Sequence, residues 1–212
     1  MNKGILVLTI ILVFATLCSA QVKTTIVRPK GVYTEIDVTR DKEAIEALSG
    51  KNKNTRQQII DDILKRPNLY NPPVIYALSR ELYNQNKKDD AAYWFYLAQL
   101  RARYDANLCM DSSAKQAVSI LNNEYGPKIN KYAFKDISKL ENTVSNVVNF
   151  VRNNEELYDH RWINLYGINA ILSGLDDDNK KQELSQPNEK WAVIKEKTID
   201  DYYADFLEYI KK

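Results

Sequence analysis

The sequence predicts an all-α protein: a single domain of packed antiparallel helix pairs behind a short extended N-terminal arm. Three observations predict it. From Asp41 onward the apolar residues recur at helical spacing. Proline, glycine and asparagine interrupt that pattern at helix-length intervals. One segment, Ala91 to Tyr104, is apolar on two sides, as a helix packed from both sides must be.

The first twenty residues read as a secretory signal, residues 1–20. Lys3 gives a positive start, Ile5 to Ala15 is a short apolar run, and Cys18-Ser19-Ala20 offers small residues before a cut ahead of Gln21. The expected location is therefore exported, periplasmic or secreted. The rival reading makes Cys18 a lipidated N-terminus, but Leu17 stands where that chemistry wants a small residue, which argues against a lipid anchor. No later run is long and apolar enough to suggest a membrane span.

Residues 21–40 form the expected arm. Val22, Thr24 and Ile26 alternate, Pro29-Lys30-Gly31 reads as a turn, and Ile36 and Val38 alternate again. The pattern suits an extended arm or a short ribbon that must dock, because an isolated two-strand ribbon is marginal.

Residues 41–212 carry the expected α-helical domain. Ala44, Ile45 and Leu48 form a stripe closed by Ser49-Gly50. Thr55 and Gln58 have capping-box spacing ahead of Ile59, Ile60, Ile63 and Leu64, and Pro67 ends that helix. Asn71-Pro72-Pro73 starts the next. There Ile75, Leu78, Ser79 and Leu82 share a face, Asn84 to Lys88 turns, and Asp89 or Asp90 caps the two-sided helix. A further helix starts near Asp111 or Ser112 and is expected to stop at Gly126-Pro127. Stripes follow over Ile137–Val151 and Trp162–Leu172, then a polar loop over 176–186. Pro187-Asn188 opens the last helix. No linker composition marks a second domain.

The hairpin residues Ile75, Leu78, Ser79, Leu82, Ala91, Phe95 and Ala98, with Ala-Tyr-Trp-Phe-Tyr at 92–96, resemble a tetratricopeptide or Sel1-like helical repeat. The resemblance covers one repeat length, about residues 72–105. It departs at Arg103, where a closing proline is usual, and no second copy of comparable fit appears. It implies helical stacking and a protein-binding scaffold.

Charge bounds the function further. Thirty Lys+Arg balance twenty-eight Asp+Glu, a net +2 that falls to about +1 once Lys3 is removed. Such a chain has no global field for nucleic acid or anionic lipid. Loss of Cys18 would leave Cys109 alone, so no internal disulfide is possible, and a lone cysteine of this kind reads as a buried small hydrophobe.

No catalytic, metal or cofactor set is predicted. His160 is the only histidine and cannot supply a multi-histidine zinc set. With Asp159 it has the ingredients of a general base, but no GxSxG nucleophile accompanies it. Asp176-Asp177-Asp178 lacks the spaced ligands of a calcium loop. Arg101 and Asp105, four apart, suit a pair along the helix. The candidate partner-binding residues are Tyr93, Tyr96, Arg101, Arg103, Asp105, His160 and Arg161, because tyrosine and arginine are favoured where proteins meet. The expected function is an exported protein-binding module with a protein partner. An immunity-type factor against an antibacterial toxin is its specific form, by fold-level analogy. The alternatives are an envelope enzyme using His160 and Asp159, or a lipid-anchored structural accessory of the envelope.

Overall fold

The computed structural model describes residues 27–175 and 183–211. The expected signal, Cys18, the start of the arm and the acidic run at 176–178 lie outside the described residues. Eight α-helices are present among those described: α1 (Thr39–Ser49), α2 (Lys53–Lys65), α3 (Pro72–Asn84), α4 (Lys88–Leu108), α5 (Gln116–Ala133), α6 (Ile137–Asn153), α7 (Ile168–Leu175) and α8 (Trp191–Ile210). Short 3-10 turns join them, and the described residues contain no strand, only an isolated antiparallel bridge between Cys109 and Ser185.

The hairpin of α3 and α4 lies at the centre. Asn71 caps α3 by accepting the Val74 N–H, and Pro72 and Pro73 occupy its first turn, where their missing N–H groups cost nothing. Asn86 closes the intervening turn with φ 65°, a left-handed conformation that asparagine tolerates better than most residues. Seven of the residues that carry the repeat resemblance are buried, Ile75, Ser79, Leu78, Ala91, Phe95 and Ala98 at 0% exposure and Leu82 at 1%, while Tyr93 and Trp94 are half-buried. Around α4 stand α3, α5, α6, α8 and the 3-10 turn His160–Tyr166. The two apolar sides of α4 are thus covered by different neighbours, as its sequence requires.

Several local expectations are corrected. Ile36 and Val38 do not enter a ribbon: Gly31–Glu35 is a 3-10 turn and α1 already begins at Thr39. Tyr33 and Ile36 instead pack with Ala170 and Leu184 in a small second core that docks the arm. Asn52, rather than a Thr55–Gln58 box, caps α2 by accepting the N–H groups of Asn54 at 3.0 Å and Thr55 at 3.2 Å. Asp89 and Asp90 sit inside the first turn of α4, beside its positive dipole end, and make no side-chain cap.

Gly126-Pro127 does not stop α5, which runs on to Ala133. Gly126 serves packing: an added Cβ would lie 2.9 Å from Phe95 Cζ. The expected helix from Trp162 to Leu172 is broken at Gly167, where a Cβ would fall 2.2 Å from Asp111 Oδ2. That carboxylate accepts the Asn169 N–H at 3.2 Å and so fixes the start of α7. Among the described residues no helix is long and apolar enough to cross a membrane.

Candidate functional site

The segment 154–166 folds across α4 and seals a buried polar cluster. A charge on a helix apolar on both sides must find partners inside the protein. Arg101 and Asp105, both 0% exposed, meet that demand with separate sets rather than with each other. Arg101 donates to the Pro67 carbonyl at 3.0 Å and to the Asn68 side chain. Its Nε faces Glu156 Oε1 at 3.4 Å, close enough for an ion pair but not aligned as a hydrogen bond. Lys195 from α8 reaches the other Glu156 oxygen at 2.7 Å and the Asn154 carbonyl at 2.7 Å.

Asp105 is the acceptor at the centre of the second set. Trp162 Nε1–H donates to Oδ2 at 2.5 Å, the Tyr158 hydroxyl donates at 3.1 Å, and His160 Nδ1 lies 2.6 Å from Oδ1. Rings pack the imidazole from several sides: Tyr158 at 4.9 Å, Trp191 at 5.1 Å and Tyr104 at 5.3 Å between centroids. Burial pulls the His160 pKa down, but the charge and hydrogen bond of Asp105 outweigh it, and the net shift is upward from 6.5. The Tyr158 phenol rises well above 10.0, through burial first and the Asp105 charge second.

The carboxylate that holds His160 is therefore Asp105, not Asp159 as its position in the sequence suggests. Asp159 turns to Arg161, whose guanidinium it accepts from at 2.8 Å and 3.0 Å. No hydrogen bond to His160 Nε2 is present among the described residues. The Cys109 thiol, one turn beyond Asp105, is buried and donates to Asn164 Oδ1 at 3.1 Å. Burial pushes its pKa up to about 11, which makes it a poor nucleophile.

The candidate partner-binding residues thus separate. Arg101, Asp105 and His160 belong to the interior, and Arg101 and Asp105 offer no surface to a partner, which corrects their place among the candidate partner-binding residues. Arg161 lines a cleft of about 800 Å³ together with Asp159, Glu35, Trp191 and Leu184. Tyr93 lines a different hollow, of about 620 Å³, with Trp94, Leu64, Phe150 and Leu157. Tyr96 and Arg103 come together in a third.

That third groove, about 320 Å³, runs between α4, α5 and α8 and is walled by Tyr96, Arg103, Phe134, Tyr202, Phe206 and Tyr209. Its walls are held firmly. The Tyr96 hydroxyl donates to Asn130 at 2.9 Å, and the Tyr202 hydroxyl donates to Gln99 at 2.8 Å. Arg103 lies 5.1 Å over the Tyr202 ring and 3.5 Å from Asp205. Tyr209 packs edge-on to Phe134 at 5.6 Å yet stays 63% exposed. The sequence named Tyr96 and Arg103 but missed Phe134 and Tyr209. The signal available was the tyrosine-rich stripe at the end of α8, which is too exposed to be all core.

Comparison with protein-family models, with curated proteins and with solved structures returns no significant match.

Proposed function

We propose that the chain is an exported, periplasmic protein-binding module of tetratricopeptide or Sel1-like type, with an immunity-type factor against an antibacterial toxin as its specific form. One observation carries the binding reading. The groove between α4, α5 and α8 combines aromatic walls, an arginine and an exposed tyrosine above a rigid helical floor. Aromatic residues and arginine in a pre-formed hollow are what dominates protein–protein affinity. The export and immunity readings rest on the sequence of residues 1–20 and on fold-level analogy.

The test is a quantitative pull-down from periplasmic extract with the wild type, Tyr209→Ala and Arg103→Ala. Each variant is expected to weaken capture of one specific protein by roughly tenfold or more. The melting temperature should hardly change, because Tyr209 is largely solvent-facing and Arg103 is a rim residue. A wild type that captures no specific partner would overturn the reading.

The Asp105–His160 pair favours a second reading, an envelope enzyme that uses the imidazole as a base. His160→Gln separates the two: lost function at an unchanged melting temperature supports chemistry. Unchanged function with a lowered melting temperature leaves the pair an architectural role.

A further inference from the structure

The groove between α4, α5 and α8 is bordered by two charged stripes of opposite sign. Along α5, Lys128 and Lys131 recur at helical spacing, and Lys135 continues the stripe just past its end; all three are exposed. They make no ion pair within the chain among the described residues. Along α8, Asp201, Asp205 and Glu208 share one side at helical spacing and are exposed too. The cations beside the acidic stripe hold it loosely. Arg103 stands 3.5 Å from Asp205, and Lys197 pairs with Asp201 at 2.7 Å, both in contact with water and so worth little. On the basic side, Asp136 next to Lys135 is taken up by the Lys139 N–H as the cap of α6, and Glu124 pairs with Arg80.

The two stripes run in register. The Tyr202 hydroxyl is tied through Gln99 to Asn122, and Phe134 packs on Tyr209 at 5.6 Å, so α5 and α8 run the same way along α4. Stepping back one helical turn from the Phe134–Tyr209 contact sets Lys131 level with Asp205.

We propose that this face is the two-fold interface of a homodimer, each copy closing the groove of the other. The inference rests on the reading of the groove as a protein-binding face and names its partner as a second copy. A two-fold axis along the groove lays α5 of each copy over α8 of the other. The basic stripe then meets the acidic stripe twice, with Lys131 against Asp205 in both places. The aromatic floors meet between them and bury Tyr209, now 63% exposed. A foreign segment of one charge sign fits less well, because one wall of the groove repels it. The size agrees. With 20 residues α8 is roughly 30 Å long, and three helices side by side span about 25 Å. Their face is about 750 Å², close to the ~800 Å² that each partner of a standard interface buries.

The test is sedimentation velocity over a concentration series. The chain starting at Gln21 is used, because every residue of both buried cores lies after it and it lacks the apolar run at 5–15. The wild type should sediment as a dimer that weakens as salt rises. Lys131→Glu and Asp205→Lys should each weaken self-association about tenfold or more, because each sets like charges opposite one another at both contacts. Both positions are exposed, so far-UV circular dichroism should not change. Mixed together, the two variants should restore a dimer, since the reversed charges then face each other across the interface. A wild type that stays monomeric up to about 0.1 mM overturns the proposal, as does a mixture of the variants that stays monomeric. A dimer broken by Ile171→Asp, on the exposed side of α7, and untouched by either charge reversal also overturns it. If a monomeric wild type still captures a foreign protein from extract, this inference fails and the binding reading stands. A dimer that captures none supports the inference and overturns the separate partner.

Discussion

At the scale of single residues, the buried pair of Asp105 and His160 makes stability depend on pH. Around His160 stand Asp105 and Tyr104 from α4, Glu156, Tyr158 and Asp159 from the covering segment, and Trp191 from α8. The folded-state pKa of His160 lies above the ordinary value of 6.5, so the fold binds the proton more tightly than the unfolded chain. The stabilisation this brings is complete below pH 6.5 and is lost as pH rises through the folded value. Urea midpoints between pH 5 and pH 9 should therefore fall more steeply for the wild type than for His160→Gln. Parallel slopes would show that the imidazole never carries the charge. Sequence alone could not pair these residues, because they lie 55 positions apart and only the fold joins them. A weaker clue was present: Asp105 sits on a helix apolar on both sides, where an ionised carboxylate requires buried donors.

At the scale of elements, α5 tests why Gly-Pro does not terminate a helix here. The sequence rule treats glycine as a C-cap and proline as a stop. Packing overrides it. Gly126 lets α5 approach the fully buried Phe95 ring, and Tyr125 beside it stacks on Tyr76 at 5.6 Å. Pro127 faces solvent, so its lost hydrogen bond is the main cost. Opposite effects follow for neighbouring substitutions. Gly126→Ala should destabilise by about 1–3 kcal/mol, because the displaced ring has nowhere to move; this outweighs the roughly 1 kcal/mol gained in helix propensity. Pro127→Ala should stabilise by about 1–2 kcal/mol, the regained helical bond being partly offset by a freer unfolded chain. Denaturant melts of the two variants give the signs directly. The remaining helices follow the sequence pattern closely because periodicity, the stops at Gly50 and Pro67 and the start at Asn71 act locally. The break at Gly167 was not legible, since its cause is a carboxylate more than fifty residues away.

At the scale of the whole molecule, the question is whether the repeat-like hairpin behaves as a repeat. In a stacked solenoid each pair touches only its neighbours, and the array survives loss of its end. Here the last helix returns to the centre. Ile199 is fully buried and Tyr202 nearly so, and α8 packs on both α4 and α6. Its polar ties reach both helices: Thr198 accepts from Asn107 of α4 at 2.8 Å, and Arg152 of α6 donates to Glu196 at 3.0 Å. Lys195 also completes the buried Arg101–Glu156 set, so removing α8 would leave Glu156 with one ion-pair partner and open α4 to water. Stripping a partner from a buried charge costs about 3–5 kcal/mol, a large share of the roughly 5–15 kcal/mol that holds a typical domain. Deletion of residues 191–212 should therefore abolish the cooperative thermal transition, not merely shorten the fold. Near-UV circular dichroism, which reports fixed packing of Trp94 and Trp162, should collapse in the truncated chain while far-UV helicity partly survives. A truncated chain that still melts sharply, with its near-UV signal intact, would show that the helices before α8 form a self-sufficient stack and that closure of α8 onto α4 is not what holds the domain together.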